Sequence, residues 1–290
     1  MQKNILITGA NGQLGNEMRM LLECKDSINT YFTDVAELDI TDSVATCEYV
    51  KTHDIDIIVN CAAYTAVDLA EDNEALCNKI NNDAVANLAN AAKSAGAKVI
   101  HVSTDYVFDG TSCVPYTEDC PTNPKSVYGK TKLNGEKSLA EILPNDYIII
   151  RTAWLYSKHG KNFVKTMLNL GKTRDTLNVV SDQVGTPTYA GDLAEAIVRI
   201  IESEKWSGGV YHFSNEGVCS WYDFTKMIHK VAGITSCKVN PISTSEYPVK
   251  ASRPSYSVLD KKKIKSIYGI EIPYWTDSLE KCIKELENNY

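Results

Sequence analysis

A tyrosine and a lysine four residues apart, Tyr128 and Lys132, form the pair in this sequence best suited to proton transfer. Residues i and i+4 share one face of a helix, so the phenol and the ammonium would point into the same space. A free phenol titrates near ~10 and a neighbouring cation favours its ionised form, so we expect Lys132 to lower the pKa of Tyr128. Upstream, Thr104 offers a hydroxyl to the same reacting oxygen. These residues are therefore predicted to catalyse hydride chemistry at a carbonyl or an alcohol.

A glycine-rich turn near the start of the chain offers a place for the cofactor that hydride chemistry needs. Its glycines stand in the pattern G-x-x-G-x-x-G, after the apolar run Ile5-Leu6-Ile7 and before apolar residues at helical spacing. At such a strand-to-helix junction the backbone can approach a pyrophosphate closely at the helix N-terminus. The residues predicted to bind the cofactor here are Gly9, Asn11, Gly12, Gln13, Leu14 and Gly15.

The choice of cofactor depends on Asp34, which lies at the end of a predicted second strand over residues 29–33. A carboxylate at this place accepts hydrogen bonds from the adenosine ribose and repels a 2′-phosphate. No arginine stands beside Asp34 to receive that phosphate. The cofactor is predicted to be NADPH or NADH, with NADH used at least as well as NADPH.

Strand-like runs at residues 56–60, 98–103 and 146–151 alternate with helical patterns. This alternation predicts an α/β fold with a doubly wound parallel sheet of the Rossmann type. The sequence also predicts a helix over 81–95 closed by Gly96, a strand over 177–180, a polar loop over 182–188 and a helix over 191–204. We predict a dinucleotide-binding domain at 1–152 with a later return near 176–205. Residues 153–290 would form most of a smaller α/β substrate-binding lobe, with a discontinuous boundary.

Composition narrows the classes of function. The formal net charge of −7 argues against a general nucleic-acid or membrane-surface binder. No apolar run reaches the ~20 residues of a membrane span, and no signal peptide is expected. The nine cysteines lack C-x-x-C pairs, which fits reduced thiols in a cytoplasm. The five histidines follow no metal-ligand spacing, and His101, within a predicted strand, is expected to be a hydrogen-bonded core residue.

Three longer segments resemble the extended short-chain dehydrogenase/reductase family: residues 60–68 (NCAAYTAVD), 103–110 (STDYVFDG) and 151–156 (RTAWLY). Together with segments 161–164, 182–188 and 253–254, they are most similar to the family's reductases of the rhamnose pathway. The resemblance implies that Tyr128 donates a proton to a C4 carbonyl oxygen and that Thr104 hydrogen-bonds that oxygen. It implies that Lys132 holds the nicotinamide ribose while lowering the pKa of the tyrosine.

The same resemblance implies the remaining contacts. Asp105 and Trp154 would line the sugar pocket, and Arg253 would be placed for the nucleotide diphosphate. The residues implied along the cofactor are Asp39 and Ile40, beside the adenine, and Ala62, Ala63 and Tyr64. The expected reaction is NAD(P)H-dependent reduction of the C4 keto group of dTDP-4-dehydro-L-rhamnose to dTDP-L-rhamnose, a polysaccharide precursor, in the cytoplasm.

Two other functions share these motifs. A nucleotide-sugar dehydratase or epimerase has the same fold and Tyr/Lys pair, but dehydratases tend to place Asp-Glu after the threonine, where this chain has Asp105-Tyr106. A non-catalytic, NADP-binding regulatory subunit is the second alternative. Such a subunit would be free to lose the tyrosine, lysine and threonine, but all three are present in this sequence. Some family members are metal-linked dimers. Glu17 matches one of their carboxylates, but Gly191-Asp192-Leu193 lacks an adjacent acidic pair. We predict no metal and a monomer or homodimer.

Overall fold

In the computed structural model, which describes residues 2–287, a six-stranded sheet forms the centre of the molecule. The strands are β1 (Lys3–Thr8), β2 (Ile28–Thr33), β3 (Ile57–Asn60), β4 (Lys98–Thr104), β5 (Tyr147–Thr152), β6 (Leu155–Tyr156), β7 (Thr176–Val180), β8 (Val184–Gly185), β9 (Thr188–Tyr189), β10 (Gly209–His212), β11 (Cys219–Ser220) and β12 (Lys238–Ile242). The α-helices are α1 (Gln13–Leu22), α2 (Ser43–Thr52), α3 (Val67–Ala70), α4 (Glu74–Asn78), α5 (Ala84–Ala95), α6 (Val127–Ile142), α7 (Phe163–Thr173), α8 (Ala190–Glu202), α9 (Trp221–Val231), α10 (Lys262–Tyr268) and α11 (Trp275–Glu287). A π-helical turn covers Lys79–Asp83, and 3₁₀ turns cover Asp105–Val107 and Thr244–Glu246.

The central sheet has the strand order β10-β5-β4-β3-β1-β2, and all its strands pair in parallel. From β1 the chain adds β2 on one side and then returns to place β3 on the other. The order therefore reverses between β1 and β3, which is where ligands bind in open parallel sheets. The predicted α/β fold with a doubly wound parallel sheet is confirmed.

Helices cover both faces of this sheet, which explains its uninterrupted apolar strands. Side chains alternate along β1, so Ile5 and Ile7 pack in the core beneath α1 and α8, while Leu6 packs in the core beneath α2 and α5. The predicted helix over 81–95 consists of the last part of the π turn followed by α5. It is closed, as expected, by Gly96 in the left-handed conformation.

The turn between β1 and α1 has almost no free space around its glycines. Gly9 has a φ of +64°, and a Cβ on it would lie 2.7 Å from backbone atoms of Ala62. A Cβ on Gly15 would lie 2.4 Å from the carbonyl oxygen of Gly9. These glycines therefore allow α1 to begin directly against the ends of β1 and β3, as the sequence pattern predicted.

Beyond β5 the chain builds a second layer of structure over the carboxyl ends of the strands. The strand predicted at 177–180 is confirmed as β7, which pairs in parallel with β12 outside the central sheet. Helices α7, α9 and α11 share an apolar core with this pair. The chain returns to the central layer through α8, which packs against α1, and through β10, which pairs with β5. The polar segment 182–188, predicted as a loop, contains β8 and the start of β9. The predicted division of the chain into two domains stays a prediction.

Among the described helices, none combines the length and apolar character needed to cross a membrane.

A buried ion pair joins α6 to β5 below the strand ends. Arg151 donates two hydrogen bonds to Glu136, with Nε–Oε1 and Nη2–Oε2 distances of 2.9 and 2.6 Å. Ser103, in β4, donates to the same carboxylate. Both charged side chains are about 5% exposed. The pair therefore connects three elements of the fold in a place that water does not reach.

Removing one charge of this pair is expected to destabilise the fold strongly. Glu136→Gln keeps the side-chain shape but leaves the buried guanidinium without a countercharge, which should cost about 3 kcal/mol or more in unfolding free energy. Glu74→Gln is the matched control, because Glu74 pairs with Lys130 on the surface and should contribute about 1 kcal/mol or less. Urea unfolding of both variants measures the difference, and equal losses would contradict the role of the buried pair.

Candidate active site

Helix α6 begins where it does because Ser126 caps it, accepting a hydrogen bond from the Gly129 amide at 3.1 Å. Tyr128 and Lys132 therefore stand in the first two turns. A Cβ on Gly129 would lie 2.2 Å from the carbonyl oxygen of Tyr106, so only glycine lets the helix approach the 3₁₀ turn that follows β4. That approach brings Tyr128 next to Thr104.

Thr104 and Asp105 form a short hydrogen-bonded unit at the end of β4. The Thr104 hydroxyl donates to Asp105 Oδ1 at 2.9 Å and accepts from the Tyr106 amide at 3.2 Å. Asp105 is buried, and its Oδ2 has no hydrogen-bond partner among the described residues. Burial raises the pKa of the Asp105 carboxyl to about 6, against the lowering effect of the Thr104 hydrogen bond. At neutral pH the Asp105 carboxyl is therefore still mainly ionised and accepts hydrogen bonds.

The pKa of the Tyr128 phenol is shifted in the direction opposite to the one expected from the sequence. Burial raises its pKa, the hydroxyl of Thr104 acts in the opposite direction, and the charge of Asp105 adds to the increase. The expected lowering by Lys132 is thus not what the structure shows. The reason is that the lysine is directed elsewhere: its Nζ donates to the Val102 carbonyl at 2.7 Å and lies 3.2 Å from Nε2 of His101. The phenol therefore keeps its proton.

Lys132 itself is almost completely buried, with 1% of its surface exposed. Burial lowers the pKa of its ammonium to about 8, although the nearby Glu136 carboxylate acts to raise it. His101 was expected to be a hydrogen-bonded core residue. It is buried and hydrogen-bonded, but its partners include this catalytic candidate.

Trp154 has a backbone conformation that bulky residues rarely adopt, with a φ of +49°. Its indole stacks on that of Trp221, with ring centroids 3.6 Å apart and planes inclined by 11°. The two rings form one aromatic wall. A strained backbone combined with a stacked side chain is typical of a ligand-binding position.

One cavity of about 550 Å³ brings together Thr104, Asp105, Tyr128, Lys132 and Trp154. From the glycine turn it reaches Gly12, Gln13 and Leu14, and from the loop after β3 it reaches Ala63. Gly12 is the N-cap residue of α1 and provides no side-chain cap, so the first amides of the helix are free to receive a phosphate. The site therefore fits a dinucleotide whose diphosphate lies at the helix N-terminus and whose reactive end lies near Tyr128.

The other residues predicted for the cofactor lie along the same edge of the sheet. Asp34 follows β2 and accepts hydrogen bonds from the Asn11 and Val35 amides through Oδ2 and Oδ1. Asp39 is exposed, and the hydrogen bond from the Thr41 amide lowers the pKa of its carboxyl. Ile40 is buried.

The loop carrying Ala62 and Tyr64 is held by two buried asparagines. Asn60 Oδ1 accepts from the Ala62 amide, and Asn81, in the π turn, exchanges two hydrogen bonds with the backbone of Tyr64. The backbone beside the glycine turn is thereby held in place.

Arg253 lines a second cavity, of about 270 Å³, which shares Tyr106 and Trp221 with the first. Its Nη2 donates to Asp68 Oδ2 at 2.6 Å, while its buried Nη1 has no partner among the described residues. The guanidinium therefore has a donor, Nη1, that Asp68 does not engage.

Sequence reasoning gave no role to several residues of this site. Trp221 supplies half of the aromatic wall, and Tyr106 packs edge-on against Tyr128 with ring centroids 5.4 Å apart. Asn162 donates to Gln13 at 2.9 Å and so ties the glycine turn to α7. Tyr106 and Asn162 lie in the segments that resemble the family, and that resemblance was the signal in the sequence that could have pointed to them. Trp221 had none, because only folding brings it next to Trp154.

Glu17, which matched a carboxylate of metal-linked relatives, is buried in α1. Burial raises the pKa of its carboxyl to about 7, with the charge of Lys158 acting against that increase. In residues 2–287, no group of three or more His, Cys, Asp or Glu side chains is arranged to hold a metal ion.

Comparison with known proteins identifies the family. The model of the RmlD substrate binding domain matches residues 3–288. A dTDP-4-dehydrorhamnose reductase from Aggregatibacter actinomycetemcomitans is 41% identical, across 95% of this chain and 97% of its own length.

Two crystal structures with the same enzyme name have closely similar folds. The reductase from Clostridium acetobutylicum has a TM-score of 0.94 and 46% identity, covering 98% of this chain and 99% of that one. The reductase from Bacillus anthracis, in complex with NADP, has a TM-score of 0.94 and 40% identity, covering 98% of this chain and 100% of that one. By sequence and by fold along nearly its whole length, this chain belongs to the RmlD family of dTDP-4-dehydrorhamnose reductases.

Proposed function

We propose that this protein reduces the C4 keto group of dTDP-4-dehydro-L-rhamnose to give dTDP-L-rhamnose. One observation carries the proposal: Thr104, Tyr128 and Lys132 line the same cavity as the uncapped N-terminal end of α1. A proton donor and a phosphate-binding helix end in one cavity are what a carbonyl reductase needs. The relatives named above support the identity of the sugar nucleotide.

A reduced nicotinamide dinucleotide supplies the hydride. The protein's residues supply the proton and the orientation. Tyr128 gives its phenolic proton to the developing C4 alkoxide, which becomes the alcohol. The hydroxyl proton of Thr104, which Asp105 accepts in the structure, turns to the same oxygen. Lys132 lines the same cavity, where its amine would hold a ribose hydroxyl of the bound dinucleotide.

The sugar and its diphosphate are assigned to the two adjoining cavities. Trp154 and Trp221 form an apolar wall for one face of the sugar ring, and Asp105, which lines the same cavity, would accept a hydrogen bond from a sugar hydroxyl. Arg253 offers its free Nη1 to a phosphate oxygen. The dTDP part would extend from the first cavity into the second.

Both alternative functions have weaker support. A dehydratase needs a second acid or base after Asp105, but the side chain there is the Tyr106 phenol, packed against Tyr128. A regulatory subunit needs no catalytic set, yet Thr104, Tyr128 and Lys132 are all present around one cavity.

We infer that the enzyme is cytoplasmic, because all nine cysteines are free thiols. We also infer that it is a monomer or a homodimer. We also infer that the reaction needs no metal ion. The function is tested directly by adding dTDP-4-dehydro-L-rhamnose as substrate and monitoring the oxidation of NADH or NADPH by absorbance. Cofactor binding without any oxidation would support the regulatory alternative instead. Failure to bind any dTDP-sugar by calorimetry at millimolar concentration would refute the substrate.

Replacing Tyr128 by phenylalanine should abolish most of the turnover. The variant loses only the hydroxyl that donates the proton, so kcat should fall by about 10²–10⁴-fold while NADH still binds. Fluorescence titration with NADH provides the control for an intact site. Retention of more than about a third of the wild-type kcat is incompatible with Tyr128 as general acid.

The wild-type enzyme should use NADH at least as well as NADPH, because the Asp34 carboxylate repels a 2′-phosphate. Asp34→Asn keeps an oxygen for the Asn11 amide but removes the charge. One charge at short range contributes about 1 kcal/mol in water, so the NADPH/NADH ratio of kcat/KM should rise roughly fivefold or more. A wild-type preference of a hundredfold for NADPH would show that Asp34 does not control the choice.

Arg253→Ala should raise the KM for the sugar nucleotide by roughly 10–100-fold, since hydrogen bonds to charged groups contribute about 1.5–3 kcal/mol. The KM for NADH should change far less. Arg253→Lys keeps the charge but not the paired donors, so it should restore binding only in part. If Arg253 only braces the loop through Asp68, the melting temperature and both KM values would worsen together.

A further inference from the structure

The cavity that Arg253 lines is bounded on one side by residues 247–252, a segment without regular secondary structure that we call the strap. Tyr247 and Val249 are its cavity-lining side chains, and Arg253 follows directly after it. A segment of this kind has no ladder of backbone hydrogen bonds to hold it. Its position therefore depends on contacts with side chains from other parts of the chain.

Asp68, in α3, makes two such contacts with one carboxylate. Its Oδ1 accepts a hydrogen bond from the Ala251 amide at 3.0 Å, and its Oδ2 accepts one from Nη2 of Arg253 at 2.6 Å. Ala251 is buried, with 1% of its surface exposed. The first bond fixes the backbone two residues before the arginine, and the second fixes the guanidinium itself. Asp68 thus determines where the charged group of Arg253 lies.

Asp68 also belongs to the wall of the first cavity. Val67, the residue before it, lines that cavity together with Thr65. The strap follows β12 in the second layer of structure, whereas α3 follows β3 of the central sheet. The Asp68 carboxylate therefore connects the strap to the loop that lies beside the glycine turn. An arginine held at this place lies next to both cavities.

We propose that Asp68 is a positioning residue for the sugar nucleotide: by binding the Ala251 amide and Nη2 of Arg253, it holds the guanidinium in place for the diphosphate. The proposal deepens the function proposed above and rests on it for the substrate and for the role of Arg253. The effect of Asp68 on binding is exerted through the strap and the arginine.

The negative charge of Asp68 acts in the opposite direction, because it repels a diphosphate. The Asp68 side chain is 44% exposed, so water and salt reduce this repulsion, across several ångströms, to about a factor of three in affinity. An arginine side chain that is not already held loses rotamer freedom when a ligand immobilises it, which costs about a factor of ten or more. Positioning therefore outweighs repulsion.

Calorimetric titration with dTDP measures the effect without any catalysis. Asp68→Asn has one side-chain oxygen, so it accepts from the Ala251 amide or from Arg253 and turns an amino group toward the other donor. The Kd for dTDP should rise by about 5–20-fold. Asp68→Glu restores both oxygens on a longer side chain and should recover part of the affinity.

Asp72→Asn is the matched control on the same strap. Asp72 pairs with Lys250, and both side chains are more than half exposed, so the Kd for dTDP should change by less than about twofold. An equal loss of affinity in Asp72→Asn and Asp68→Asn would show that any weakening of the strap has the same result, and it would overturn the specific role of Asp68.

A double-mutant cycle shows whether the effect passes through the arginine. If Asp68 acts by positioning Arg253, Asp68→Asn should weaken dTDP binding by less than about twofold when Arg253 is already alanine. Losses that multiply fully in the double variant would overturn the proposal.

Kinetics provide a further readout. In Asp68→Asn the KM for the sugar nucleotide should rise with the Kd, while kcat and the KM for NADH should stay within about twofold of the wild-type values. A merely structural role would lower kcat and the melting temperature together with binding.

The outcomes for the wild-type protein separate this proposal from the proposed function. Absence of dTDP binding by the wild type would overturn the substrate assignment, and this proposal with it. Binding by the wild type with an equal or lower Kd in Asp68→Asn would overturn this proposal alone, because the Tyr128→Phe result does not depend on Asp68.

Discussion

The buried ion pair between Arg151 and Glu136 is the interaction on which the geometry of the site depends. The pair and Ser103, which donates to its carboxylate, lie on the three elements that carry the chemistry: Ser103 precedes Thr104 in β4, Glu136 follows Lys132 by one turn in α6, and Arg151 precedes the segment leading to Trp154. A charge pair removed from water is costly unless its hydrogen bonds are satisfied, which allows little freedom in the relative positions of these elements. The proton donor, the hydroxyl and the aromatic wall are therefore held in one arrangement.

Burial affects the site in a second way, by favouring the uncharged form of each titratable group in it. The pKa values of Tyr128 and Asp105 are raised, and those of Lys132 and His101 are lowered, with burial the largest cause in every case. A low-dielectric environment disfavours ions of both signs. For a general acid this is an advantage, because the phenol retains its proton until negative charge develops on the oxygen of the substrate.

The central sheet could be predicted because its causes are local. Apolar strands alternating with helical patterns, and glycines at a strand-to-helix junction, leave few topologies open. The same logic placed Thr104 near the glycine turn, since the carboxyl ends of parallel strands meet at one edge. The second layer was harder to predict. Strand β7 was recognised, but its pairing with β12 was not, because a pairing across some sixty residues has no local signature.

The sequence by itself determined the fold class, the family and which side chains could carry the chemistry, because each of these depends on residue types at short spacing. Only the tertiary structure decided their protonation and their partners. The expectation that Lys132 lowers the pKa of Tyr128 follows from an i, i+4 spacing, but the lysine is turned toward Val102 and His101, which come from another strand. Arg253 is likewise paired with Asp68, from a distant part of the chain. Electrostatics at a site depends on burial and on contacts between distant segments, and neither is encoded in local spacing.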